Sequence, residues 1–164
     1  MSNETLTLFE LNAFVREVVE GHLDEPCWVT GELSDVSTPA FGGHFYGELV
    51  QKDEGGDRIV ARARIICWAR NYNILRLRFQ KESGETLRKG LQVRLQVKVS
   101  FHEQYGYSLN ILDIDSTYTL GDLAKRRREI LLQLERDGIL RDNQTLSLPR
   151  LFRRIAVISS ATAA

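Results

Sequence analysis

Leu8, Leu11, Phe14, Val15, Val18 and Val19 recur at three-and-four spacing and predict an amphipathic helix over residues 8–23. Thr7 with Glu10 three residues on has the capping-box pattern, and Gly21 is placed to end the helix. Period-two alternation then takes over. Residues 27–36 read as a first strand, with Gly31 marking a bulge or sharp coil. Pro39, Gly42 and Gly43 break the chain into a loop. A second strand, residues 44–50, sets Phe45, Gly47 and Leu49 against His44, Tyr46 and Glu48. The turn at residues 53–57 leads to a third strand over residues 60–68. Residues 71–80 predict a short helix carrying Ile74, Leu75 and Phe79, closed by Gly84. The fourth strand is the cleanest: Val93, Leu95, Val97, Val99 and Phe101 alternate with polar residues. A turn at residues 103–106 returns the chain as a fifth strand, residues 107–114, with Leu109 and Ile111 inward.

Five short strands, a helix between the third and fourth, and a glycine where the first must bend specify a mainly β fold with flanking α-helices. The architecture expected is a five-stranded Greek-key barrel of the OB type, preceded by an N-terminal helix. A long amphipathic helix follows over residues 121–138, carrying basic Lys125, Arg126, Arg127 and Arg128. That basic run reads either as a continuation of a polyanion track or as a solvated helix face. Residues 155–158 form an almost uninterrupted apolar run, the pattern of a strand buried on both faces. The division expected is residues 1–118 for the helix and barrel, 119–147 for a connecting helix and linker, and 148–164 for the first strand and loop of a truncated α/β domain.

Composition changes this picture little, with 43% hydrophobic and 27% charged residues being ordinary for a globular chain. No apolar run approaches the ~20 residues of a membrane helix, and the N-terminus lacks a signal-peptide pattern. Cys27 and Cys67 both fall in strand-like segments and read as reduced core thiols, so a cytoplasmic location is expected. No metal-ligand spacing is visible. Charge changes it more. The net charge is zero, yet residues 1–57 hold twelve Asp/Glu against two Lys/Arg, while residues 58–102 hold eleven Lys/Arg against two Glu. Such a cationic block attracts a polyanion; the alternative is pairing between the two blocks inside one fold.

The third strand carries the candidate chemistry. Its small apolar face is Ala61, Ala63, Ile65 and Cys67; its other face aligns Arg62, Arg64, Ile66 and Trp68. Guanidinium groups contact phosphates and an indole stacks on bases, a combination that suits single-stranded nucleic acid. In the barrel His44, Tyr46, Arg62, Arg64, Ile66 and Trp68 share one external surface. Arg70 lies just beyond the strand, Lys98 extends the cationic set, and the flanking loops contribute Phe41 and Tyr105. Two other readings stand beside this one. Trp68, Ile66 and Tyr46 could form an interaction patch for a protein subunit without DNA contact, or the arginines could be solvated on an edge strand. A self-contained small enzyme has little support: His22, His44 and His102 fall in unrelated contexts, with neither a triad order nor a phosphate-cradling loop.

With the strands placed, the chain from Leu8 onward resembles the N-terminal region of the exodeoxyribonuclease VII large-subunit family. The resemblance rests on Leu8-Phe9-Glu10-Leu11-Asn12, Trp28-Val29-Thr30-Gly31-Glu32-Leu33-Ser34, Gly43-His44-Phe45-Tyr46, Ile66-Cys67-Trp68-Ala69-Arg70 and Tyr105-Gly106-Tyr107-Ser108-Leu109. Its strongest part is Leu148-Pro149-Arg150 with Arg153-Arg154-Ile155-Ala156-Val157-Ile158-Ser159-Ser160. It implies a nuclease that hydrolyses single-stranded DNA to short oligonucleotides, gripping the strand with the barrel. The full-length enzyme would assemble with a small helical subunit through regions absent here, and a divalent metal such as Mg is left open for it. The family's Ser-x-Thr-Gly-Ala segment has Ala163 at its glycine position, and the chain stops before the family's catalytic Asp. No catalytic residue can therefore be carried over, and this stretch is expected to be inactive alone, with no cofactor of its own. The apolar strand at residues 153–159 is expected to be either disordered or paired against a second copy of the chain as a homodimer.

Overall fold

The computed structural model describes residues 5–37, 43–53, 58–147 and 156–159. The chain divides into two compact units, residues 1–124 and 125–164. In the first, β1 (Cys27–Ser37), β2 (Phe45–Lys52), β3 (Ile59–Cys67), β4 (Gln92–His102) and β5 (Gly106–Ile114) close a barrel in the order β1-β2-β3-β5-β4. The N-terminal helix is α1 (Leu8–His22), and α2 (Ala69–Ser83) separates β3 from β4.

Closure depends on β1 serving two neighbours. Cys27 to Glu32 pair with β4, and Glu32 to Ser37 pair with β2. Gly31 lies next to the changeover, where a Cβ would sit 2.7 Å from Leu49 Cγ and 2.9 Å from the Val50 carbonyl oxygen. Its role is close approach of two strands. The register irregularity lies two residues further on, between Leu33 and Asp35. At the far side the ring is shut by a short parallel pairing, Ile65 with Leu109 and Ile66 with Asn110. The alternating residues fill the interior: Leu33, Phe45, Ile65, Val93, Leu95, Val97 and Ile111 are all nearly inaccessible. Cys67 joins this core, and burial pushes its thiol up to about 11.

α2 plugs one end of the barrel with Tyr72, Leu75 and Phe79, and the Tyr72 ring stacks on Phe45 with centroids 5.0 Å apart. Tyr72, three residues before Leu75, shares its buried face, whereas the expected Ile74, one residue before Leu75, is turned about 100° from it and is exposed.

Other boundaries also move for local reasons. α1 begins with the expected capping box, Thr7 and Glu10 bonding each other's backbone N–H groups, but it runs through Gly21 to His22. Its apolar stripe is not swallowed by the barrel. Val19 packs on the core and Asn12 Nδ2 donates to the Glu103 carbonyl, whereas Leu8, Leu11, Phe14 and Val18 face outward. Cys27 opens its strand and is exposed, so only Cys67 is a core thiol. Ala61 is exposed because the first half of β3 extends past the packed interior.

The third long helix, α3 (Ser116–Arg136), starts five residues before the expected glycine. Asp115 accepts the Thr117 hydroxyl and the backbone N–H groups of Thr117 and Tyr118, bonds that hold its carboxyl below the ordinary value. In the second unit, Lys125, Arg126, Arg127 and Arg128 are exposed on α3, and a short α4 (Asp142–Thr145) follows. Of the apolar run expected at residues 155–158, Ile155 lies outside the described residues. Residues 156–159 have no secondary structure and Ile158 is 100% exposed, because no strand among the described residues pairs its backbone. Phe41, the loop around Pro39 and Gly42, residues 54–57 and the Leu148-Pro149-Arg150 segment lie outside the described residues.

Gly31→Ala should destabilise the barrel by about 1–3 kcal/mol through overpacking against backbone, read as a lower midpoint in urea denaturation followed by circular dichroism. An unchanged midpoint would show that β1 and β2 can separate without loss.

Candidate nucleic-acid interface

Strand pairing decides which outward residues meet. β2 and β3 align Tyr46 with Ile66 and Glu48 with Arg64, while β4 and β5 align Ser100 with Ser108 and Lys98 with Asn110. The parallel contact places Ile66 beside Asn110. One continuous external surface therefore crosses four strands. Between β2–β3 and the β4–β5 hairpin this surface sinks into a cavity of about 520 Å³, bordered by Tyr46, Arg64, Ile66, Trp68, Tyr105 and others.

Two groups of rings flank it. His44 lies edge-on to Trp68 at 4.7 Å between centroids and edge-on to Tyr46 at 6.3 Å. Across the cavity, His102 sits 4.8 Å from Tyr105. Trp68 is 52% exposed, Tyr46 49% and Tyr105 60%, so these three present open faces. Trp68 itself falls just after β3, as the residue preceding α2. His44 has a positioning role: its Nδ1 accepts the Ala69 N–H at 3.1 Å. That bond satisfies an orphan donor at the start of α2 and holds the imidazole against the indole.

The cations separate into two kinds. Arg62 pairs with Glu48 at 3.6 Å, and Lys98 pairs with Asp24 at 2.6 Å. Hydrogen bonding between the latter two lowers the Asp24 carboxyl and raises the Lys98 ammonium from their ordinary values. Arg64 has no carboxylate partner among the described residues and donates instead to the Tyr105 carbonyl at 2.7 Å. That bond ties the hairpin to β3. Arg70 is exposed in the first turn of α2. The structure thus gathers Tyr46, Arg64, Ile66, Trp68 and Tyr105 at the cavity, with His44 behind Trp68. Arg62, Arg70 and Lys98 do not line it.

Ser100, His102 and Ser108 are among the further residues that border the cavity. The two serines are outward positions on the arms of one hairpin, so folding the sequence about its turn would have brought them together. Among the described residues, no group of three or more His, Cys, Asp or Glu is placed to hold a metal ion, and no helix is long and apolar enough to cross a membrane.

The family described as the OB-fold nucleic acid binding domain matches residues 6–115, the stretch that builds α1 and the barrel. The chain belongs to this family. It is also 38% identical over 163 residues to a Deinococcus radiodurans protein named exodeoxyribonuclease 7 large subunit, covering 97% of this chain and 38% of that protein. A Haemophilus influenzae protein of the same name is 29% identical over 167 residues, covering 100% of this chain and 34% of the relative. The match is to the N-terminal part of such relatives, and the chain spans about a third of their length. Among solved structures, a mitochondrial single-stranded DNA binding protein from S. cerevisiae is similar at 16% identity with a TM-score of 0.39, covering 56% of this chain and 90% of that one. The barrel is an OB-fold nucleic-acid-binding domain.

Releasing Lys98 should extend the cationic path. Asp24→Asn is expected to steepen the log–log salt dependence of oligonucleotide binding by about 0.7, the contribution of one more single-strand phosphate. Fluorescence anisotropy at a series of salt concentrations checks this, and an unchanged slope would place Lys98 off the path.

Proposed function

We propose that the barrel grips single-stranded DNA for a nuclease of the exodeoxyribonuclease VII large-subunit type. The observation that carries this reading is the convergence of exposed Tyr46, Trp68 and Tyr105 with Arg64, the cavity-lining arginine that has no carboxylate partner among the described residues, around one recess. Rings supply sequence-tolerant stacking of roughly 1–3 kcal/mol per base, and the guanidinium supplies attraction to phosphate. Arg62, two positions before Arg64 on β3, and Arg70, in the first turn of α2, are exposed and available to a backbone running past the recess. The Arg62–Glu48 pair is exposed and therefore weak, so a polyanion can compete for Arg62.

The names of the relatives support a nuclease as the whole protein; in this reading it works in the cytoplasm and this domain delivers the strand. In this reading the catalytic residues lie in a part of the whole protein beyond the matched stretch. A small-subunit partner and self-association through residues 153–159 are further parts of this reading, resting on the family resemblance and on the apolar run at 155–158.

Anisotropy titration of the chain with a labelled oligo-dT tests the grip. Trp68→Ala and Arg64→Ala should each weaken binding about 5- to 100-fold, in line with the loss of one stacked base or one charge-assisted contact. Arg64→Ala should also flatten the salt slope by about 0.7. Affinities indifferent to both substitutions, or to salt, would instead favour a protein-binding face.

A further inference from the structure

Sequence-tolerant stacking needs only exposed rings. This interface offers more. Its cavity of about 520 Å³ falls within the ~300–1,000 Å³ range of sites that enclose a small ligand. Tyr46 and Trp68 stand on one side, and Tyr105 and His102 on the other, while Ile66 adds apolar surface. Ser100 and Ser108, opposite each other in the β4–β5 ladder and half-buried, add two hydroxyls that have no hydrogen-bond partner among the described residues. His102 is oriented too. Its Nδ1 accepts the Gln104 N–H at 3.1 Å, so the proton is on Nε2 and the ring has one donor to spare. Arg64, bonded to the Tyr105 carbonyl, holds the hairpin side of the recess in place before any ligand arrives. Apolar walls with a few polar groups are the chemistry of a site for a flat heterocycle whose edge carries carbonyl and amino groups.

We infer that the cavity takes one nucleobase, swung out of the strand's stack at a single fixed position, with Ser100, Ser108 and His102 facing its polar edge. The inference rests on the single-stranded nucleic acid reading and makes it more specific. The bound strand then has one nucleotide that matters far more than its neighbours, which lie over the exposed rings and contribute mainly phosphates.

The test uses the shortest oligo-dT that binds the chain with full affinity, so that the strand has no room to shift register. A single abasic residue is moved through it position by position, and affinity is read by anisotropy. One position should lose about tenfold or more, as expected for a lost base–ring contact, while the others lose threefold or less. Ser108→Leu, which fills the recess from its floor, should weaken binding and level this profile while leaving the salt slope unchanged. Ser100→Leu does the same from the neighbouring strand, and circular dichroism confirms which variants fold. Tight, salt-sensitive binding with an even abasic profile would overturn the base cavity and leave the nucleic-acid grip standing. Absence of binding to any single strand at low salt would remove both.

Discussion

The structure depends on one strand being shared by two neighbours. β1 leaves β4 and joins β2 within a single residue's span at Glu32, which lets one sheet curl onto itself and close. Two backbones must approach there more closely than a Cβ allows, and Gly31 is the residue that permits it. A second glycine, Gly47, makes the same concession nearby: its Cβ would lie 2.8 Å from the Asp35 carbonyl oxygen. Everything outward-facing inherits its position from this closure. Because the ring is shut, β3 lies beside β5, and the arginine face of β3 meets the serine face of the last hairpin.

The proposed binding surface is therefore built from residues distant in sequence but adjacent in the ring. Arg64 and the carbonyl of Tyr105 are 41 positions apart and 2.7 Å apart in space. That one bond joins the cationic strand to the aromatic turn. His44 performs a comparable service from β2's threshold, capping α2 while lying against Trp68. Both are positioning contacts, and both hold rings whose faces stay open to solvent. An interface of this kind is ordered before its ligand arrives, which limits the entropy lost on binding.

Charge is distributed with similar economy. The acidic first third does partly neutralise the basic middle: Glu48 reaches Arg62 and Asp24 reaches Lys98. Neutralisation is incomplete where the cavity opens, since Arg64 is held by a neutral carbonyl. Internal pairing is thus realised at Arg62 and Lys98, while Arg64 is left without a carboxylate partner among the described residues. Exposed pairs are individually weak, so the paired cations remain a reserve that a phosphate backbone can recruit.

Much of this was legible in the linear pattern. Period-two alternation located all five strands, and the capping box located α1, because those signals are local consequences of side-chain geometry. The outward set of Tyr46, Arg62, Arg64, Ile66 and Trp68 followed from the same parity. What parity cannot tell is which outward residues become neighbours: it does not bring Ser100, Ser108 and His102 to the cavity, nor does it pair Lys98 with Asp24. Burial is equally non-local. Leu8, Leu11 and Phe14 form an apolar stripe by spacing, yet the barrel covers only the adjacent face of α1. The sequence by itself determined the strands, their faces and the class of ligand they suit. Only the tertiary structure decided which charges are spent on carboxylates and where the surface deepens into a cavity, because both depend on side chains brought together by ring closure.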